Sequence, residues 1–535
     1  MKAKAIMVQG TGSDVGKSIL VCALCRILRQ EGLNVAPFKA QNMSNNSYVT
    51  VGGGEMGRAQ VAQAEAAGLF PLVEMNPILL KPTGNNGSQI ITMGKPIGHM
   101  TANEYYGNKE KMLDIAKDAY STLSEQHDII IIEGAGSPAE VNIKDNDIVN
   151  MKIAEIADAP VILVTDIERG GSFAWIVGTL ELLNSDERER VCGIIINKFR
   201  GDMGILEPGI EMLEERIGKP VLGVLPYFTD INIDNEDSVC LDTGNKKLDN
   251  KNYKPYESQI DIVVIKLPRI SNFTDFDILK RENNISVRFV DNARSIGKPD
   301  LIIIPGSKNT IGDLTFIKEN GIADKIKNLA KSGTMVIGVC GGYQMLGKEI
   351  RDSENAESKI TQIRGLGLID AKTTFMLQKN TYQIKARLHD SQGSYASRSD
   401  LNNFNTRSEI TGYEIHMGET ELLNGTLPFL KIIERSDKEV CADDGAISND
   451  GNVIGTYVHG IFDNDGFRLE LINCLRRKKC LTPIRPEDLS KVDKERQYDK
   501  LADLFRKNIK MDLIFEQIGD LKDFSTQSTQ RKIKY

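Results

Sequence analysis

The chain has 535 residues, with 67 basic against 74 acidic side chains and a net charge of -7. At about 150 residues per domain this length calls for at least two domains, and the acidic balance offers no basic field to a phosphate backbone, which argues against nucleic acid as a partner. Hydrophobic residues make up 40% of the chain and the eight cysteines show no paired zinc-finger spacing; with no run of about 18 apolar residues, the sequence predicts a cytoplasmic protein with reduced thiols and no membrane span.

Short, nearly continuous apolar runs occur at 5–8, 129–132, 161–164, 194–196, 262–265, 301–304 and 335–339. Such runs suit strands buried on both faces, and most are separated by enough chain for a crossover helix, so the predicted fold class is α/β with parallel sheets. The first run leads into Gln9-Gly10-Thr11-Gly12-Ser13-Asp14-Val15-Gly16-Lys17-Ser18, followed by a helical pattern ending at Gly32. Strand, glycine loop and helix thus stand in the order of a phosphate loop. Gly10, Thr11, Gly12 and Gly16 would form the cradle, Lys17 would reach the outer phosphates, and the Ser18 hydroxyl would ligate Mg2+. Five residues, rather than four, separate Gly10 from Gly16, a variant spacing.

The second run ends in Glu133, a carboxylate at the carboxyl end of a buried strand, and this makes Glu133 the expected second magnesium ligand. The 165–172 stretch, Lys198 and Arg200 also follow strands and read as groups for holding an anionic substrate. From Asp230 to Gln259 the chain turns polar and turn-rich. The expected organisation is therefore a nucleotide-dependent domain at 1–230, a linker at 231–259, a second domain at 260–482 and a charged helical tail at 483–535 that frays at its end.

The last run enters Gly338-Val339-Cys340-Gly341-Gly342-Tyr343. A nucleophile on a sharp strand-to-helix turn needs small neighbours, so Cys340 is the predicted nucleophile. Gly306, after another strand, and Gly341 would provide oxyanion N–H groups. Among five histidines, His459 at a strand end is the predicted base, with His416 as its rival.

The strings VQGTGSDVGKS, PFKAQNMSNNSYVT, MNPILLKPTG, EGAGSPAEVNI, DIERGG, LPRISNFTDFD, PGSKNT, GVCGGYQMLG, GYEIHMGET and GTYVHGIFDN occur in this order. Together they resemble the cobyric acid synthase family of glutamine-dependent amidotransferases in cobalamin biosynthesis. The resemblance implies a dethiobiotin-synthetase-like P-loop domain joined to a class I glutamine amidotransferase-like domain of the cobyrinate-amidating type. It also implies ATP- and Mg2+-dependent amidation of the b, d, e and g carboxylates of adenosylcobyrinic acid a,c-diamide. The small-molecule partners would be glutamine and a corrinoid polycarboxylate, with homo-oligomerisation left open. Cys340 and His459 match the family's nucleophile and base. Many class I domains carry a Glu two residues after the catalytic His, but here that place is Ile461, so no orienting carboxylate is assigned. The alternatives are a cobyrinic acid a,c-diamide synthase and, in a different class, a ParA/MinD-like switching ATPase. The loop lacks the second Lys of such switches.

Overall fold

The computed structural model describes residues 2–84, 87–234, 259–389, 408–491 and 493–519. In chain order its first half contains β1 (Lys4–Gly10), helix α1 (Lys17–Gln30), β2 (Val35–Phe38), β3 (Gln41–Met43), β4 (Ser47–Val49), β5 (Glu55–Gly57), helix α2 (Arg58–Ala67), β6 (Ile78–Gly84), β7 (Gly87–Thr92), β8 (Lys95–Met100), helix α3 (Ala102–Gly107), β9 (Ile129–Glu133), β10 (Val161–Asp166), β11 (Val191–Phe199) and β12 (Val221–Pro226). Six of these strands form a parallel sheet in the order β12-β11-β10-β1-β9-β2. Each residue from Ile129 to Ile132 has no solvent exposure, because helices cover both faces of the sheet.

The second half contains β13 (Ile260–Ile265), β14 (Ile270–Ser271), β15 (Ile285–Val290), β16 (Leu301–Ile304), β17 (Gly306–Ser307), β18 (Met335–Val339), β19 (Glu349–Arg351), β20 (Gln362–Arg364), β21 (Ala371–Leu388), β22 (Ile410–Leu422), β23 (Leu430–Arg435), β24 (Lys438–Asp444), β25 (Ala446–Ile447) and β26 (Val453–Thr456). Its central sheet runs β15-β13-β16-β18-β26-β25, parallel except at the β25 edge. All seven apolar runs lie in these two parallel sheets. The expected linker lies for the most part outside the described residues.

Two further sheets were not anticipated. β3, β6, β7 and β8 form a small sheet, antiparallel from β6 to β8, beside the β2 edge of the first domain. A larger mixed sheet, β20-β19-β21-β23-β24 with β22 on β21, flanks the second. Both place alternate residues on opposite faces, and this keeps their sequences from reading as buried runs.

The charged tail does more than extend from the second domain. Its helices Lys494–Asn508 and Met511–Ile518 return to the first half, where Leu501, Phe505, Ile509 and Ile518 share a core with α1. Arg26 on α1 pairs with Glu495 at 2.6 Å and Asp499 at 2.7 Å. The amphipathic pattern of the helix explains this return: Tyr498, Leu501, Ala502 and Phe505 form its buried stripe. The expected frayed end, from residue 520, lies outside the described residues.

Phe505 is fully buried in that shared core. Phe505→Ala should cost about 3–5 kcal/mol in urea unfolding of the first domain. A loss below about 0.5 kcal/mol would mean that the tail does not contribute to this core.

Candidate active site

The phosphate loop joins β1 to α1. Gly16 has φ +103, and a Cβ there would stand 2.1 Å from Asn197 Nδ2, so both conformation and space require glycine. Asn197 Nδ2 in turn donates to Val15 O at 2.8 Å, tying the loop to β11. Lys17 Nζ donates to Gly12 O at 2.8 Å and Gly136 O at 3.1 Å, folding its ammonium over the loop. Gly10 packs against Val15 and Lys17, while Gly12 faces open space. Thr11 differs from the expectation: its N–H donates to Val164 O at 2.9 Å and its hydroxyl to Thr165 Oγ1 at 3.1 Å. Its amide is engaged in the sheet, so Thr11 anchors the loop and has no N–H to offer a phosphate.

Ser18 Oγ donates to Glu133 Oε1 at 2.8 Å. Glu133 is 1% exposed, and its oxygens also accept from Lys39 at 3.0 Å, Gln60 at 3.2 Å and Gln63 at 2.5 Å. Burial opposes its charge, but Lys39 and these hydrogen bonds win and hold its pKa below the ordinary carboxylate value. A hydroxyl and a carboxylate in contact are hard oxygen donors that fit Mg2+. Among the described residues no cluster of three or more His, Cys, Asp or Glu could hold a metal, so phosphate and water oxygens would complete the coordination. A cavity of about 340 Å³ opens here, lined by Lys17, Ser18, Lys39, Met43 and Glu133. The strand-end cations expected to hold an anionic substrate are engaged with carboxylates instead. Lys198 lies 3.0 Å from Asp166, Arg169 2.9 Å from Asp14, and Arg200 3.2 Å from Glu168.

Cys340 stands between β18 and the helix Gly341–Leu346 with φ 52 and ψ -111, a strained conformation for a residue with a side chain. Its turn is held by Cys340 N donating to Thr456 O at 2.8 Å. A Cβ on Gly342 would stand 1.9 Å from Ile304 O, so the elbow packs directly on β16. His459 Nδ1 is 2.7 Å from Asp275 Oδ2, and Asp275 Oδ1 accepts from Gly460 N at 3.3 Å. Burial disfavours the imidazolium, yet Asp275 and the neighbouring Cys340 outweigh it and raise the His459 pKa to about 10. His459 Nε2 is buried without a hydrogen bond of ordinary geometry.

Asp275 fills the position that the sequence left empty after Ile461. It comes from 184 residues upstream, in the NFTDFD portion of a string already noted. Nothing in the sequence beside the histidine points to it. His416 also lines the Cys340 cavity, but its Nδ1 contacts Gly418 O at 2.8 Å and its ring stacks on Tyr457. Burial lowers its pKa to about 4. Gly306 pairs with Ser271 across β14 and β17, and a Cβ there would lie 3.3 Å from His459 Cε1. A Cβ on Gly341 would lie 3.0 Å from Ser307 N. The backbone of Gly341 therefore packs against Ser307, the residue next to Gly306.

The two halves meet at this site. Asn272 Nδ2 donates to Ser47 O at 3.0 Å and Tyr413 Oη at 2.8 Å, and Thr274 Oγ1 donates to Asn46 Oδ1 at 3.1 Å. Thus β4 and the turn before it brace the loop that carries Asp275. Lys81, from β6, lines the same cavity as Cys340, Lys308, Gln344 and Lys379.

Residues 6–239 match the family model for the CobQ/CobB/MinD/ParA nucleotide binding domain, and 261–467 match that for the CobB/CobQ-like glutamine amidotransferase domain. The chain is 50% identical over 523 residues to a cobyric acid synthase of Pelotomaculum thermopropionicum, covering 97% of each. It is 51% identical over 504 residues to that of Moorella thermoacetica, covering 94% of each. The chain belongs to the cobyric acid synthase family. Membership of that family, with both domains matched, makes it a glutamine-hydrolysing amidotransferase of cobalamin biosynthesis and sets aside the a,c-diamide synthase and switching-ATPase alternatives. Among the described residues no helix is long and apolar enough to cross a membrane.

Asp275→Asn should lower glutamine-dependent turnover by on the order of 10²-fold or more, because an amide does not stabilise the imidazolium or fix its tautomer. Ammonium-dependent turnover should stay within about twofold. The His459 pKa is raised from 6.5 to about 10, so the stability it contributes is complete below pH 6.5 and is lost as pH rises towards 10. The stability gap between wild type and Asp275→Asn should narrow across that window; a widening gap would contradict the ion pair.

Proposed function

We propose that the chain converts adenosylcobyrinic acid a,c-diamide to adenosylcobyric acid by amidating the b, d, e and g carboxylates, using glutamine and Mg-ATP. The observation that carries this reading is the pairing of two different sites across one interface: a Cys340, His459 and Asp275 constellation and a Lys17, Ser18 and Glu133 phosphate site. Both small-molecule substrates and ATP suit a cytoplasmic reaction.

Each site has its own chemistry. A protonated imidazole beside a thiol stabilises the anionic sulfur, which attacks the glutamine side-chain carbonyl. The carbonyl oxygen gains charge in that step, and backbone N–H groups at Gly306 and Gly341 would stabilise it. Collapse breaks the C–N bond, His459 gives its proton to the departing nitrogen, and water then releases glutamate from the thioester. In the other domain ATP supplies the γ-phosphoryl group that turns a poor oxide leaving group into a good one. Lys17 offsets phosphate charge, while Ser18 and Glu133 would hold Mg2+.

Cys340→Ser should abolish amidation with glutamine but leave it with added ammonium, read by mass spectrometry of the corrinoid product. Lys17→Ala should lose both. If ammonium rescued Lys17→Ala as well as Cys340→Ser, the loop would not be the site of carboxylate activation. Separately, Glu133→Gln should raise the magnesium concentration for half-maximal activity several-fold, since it removes the charge and keeps the shape. An unchanged magnesium dependence would reject Glu133 as a ligand.

A further inference from the structure

A third cavity, of about 510 Å³, lies on the small sheet of the first domain. Its floor is apolar: Leu80 and Pro82 from β6, Ile90 from β7 and Met100 from β8. Tyr105 and Tyr106 of α3 stand at one side, while Gln41, Ser88 and Asn103 offer neutral polar groups. No charged side chain lines it among the described residues. That composition suits a broad, mostly apolar ligand with amide or acid groups around its edge, and poorly suits a nucleotide phosphate or a small charged acid.

Position makes the cavity informative. Met43, which is 56% exposed, lines both this cavity and the phosphate cavity, so a group at the rim of a bound ligand would border the phosphoryl donor. Strand alternation puts the next residues on the opposite face. There Lys81 lines the Cys340 cavity, Gln89 Nε2 meets Met417 Sδ at 3.8 Å, and His99 is lowered in pKa by burial and by Lys308 and Lys379 of the second half. One sheet therefore separates the Cys340 cavity from the apolar cavity.

We propose that this apolar cavity binds the corrin macrocycle, with the carboxylate to be amidated projecting past Met43 towards Lys17 and Glu133. The assignment rests on the corrinoid reading above and adds its location. Four different rim carboxylates must reach one phosphoryl donor, so the site must accept the ring in several orientations. A flat apolar floor with neutral polar groups at the edge permits this, whereas a set of fixed ion pairs to each carboxylate would favour one orientation.

The test uses the full chain with adenosylcobyrinic acid a,c-diamide. Ala102→Trp fills the exposed mouth of the cavity, and Met100→Ala removes part of its floor without adding bulk. We expect the corrinoid KM to rise at least tenfold in the first and several-fold in the second, with the ATP KM within twofold of wild type. If Ala102→Trp does not fold, Met100→Ala decides. Wild-type corrinoid KM in the folded variants, or a rise in the ATP KM instead, would overturn the placement while leaving the amidation reading intact. A wild-type chain that neither amidates the corrinoid nor perturbs its absorption spectrum on titration would overturn both.

Discussion

Glu55 is fully buried, and the two lysines that neutralise it come from different halves of the chain: Lys81 from β6 at 2.6 Å, and Lys379 from β21. Burial alone would raise its pKa, and the two ammonium groups more than reverse the effect. Separating the halves would withdraw Lys379 and leave Lys81, from the same half as Glu55, as its remaining ammonium partner. The contact thus fixes how the domains meet. Lys81 and Lys379 also line the cavity of Cys340, so the ion triad forms part of the glutaminase wall.

Around this contact the segment from Lys39 to Arg58 runs from one site to the other. Lys39 contacts Glu133 at the phosphate site. Asn46 and Ser47 hold the loop of Asp275, and Thr381 Oγ1 donates to Gly53 O at 2.7 Å. Arg58 pairs with Asp234 at 2.8 Å and lies over the Tyr48 ring. The segment therefore reaches from a contact with the carboxylate beside the phosphate loop to hydrogen bonds on the loop that carries Asp275. Its many polar residues belong to an interface, with few of the apolar contacts expected of a domain core.

Much of this was legible in the sequence, and the rest was hidden for physical reasons. Strands buried on both faces, such as 129–132 and 301–304, announce themselves because every position must be apolar. The phosphate loop and the Cys340 elbow are equally visible, because each function is built from consecutive residues with glycine where space or φ demands it. The sheet from β3 to β8 is not visible: Leu80, Lys81 and Pro82 face two different cavities in turn, so no single periodic signal marks their environment. Asp275 escaped for another reason, since its partner His459 lies 184 residues away in the chain and meets it only in the folded protein. Thr11 matched the loop motif by position, and only the three-dimensional arrangement reveals that its amide is engaged by Val164.

With the two sites paired as proposed, nitrogen released at Cys340 would pass internally to the phosphate site. Amidation of the corrinoid with glutamine labelled with 15N in its side-chain amide, in the presence of excess unlabelled ammonium, tests this most directly. Internal transfer predicts product amides that retain nearly all of the 15N label by mass spectrometry. Dilution of the label to the isotopic ratio of the mixed pool would contradict it.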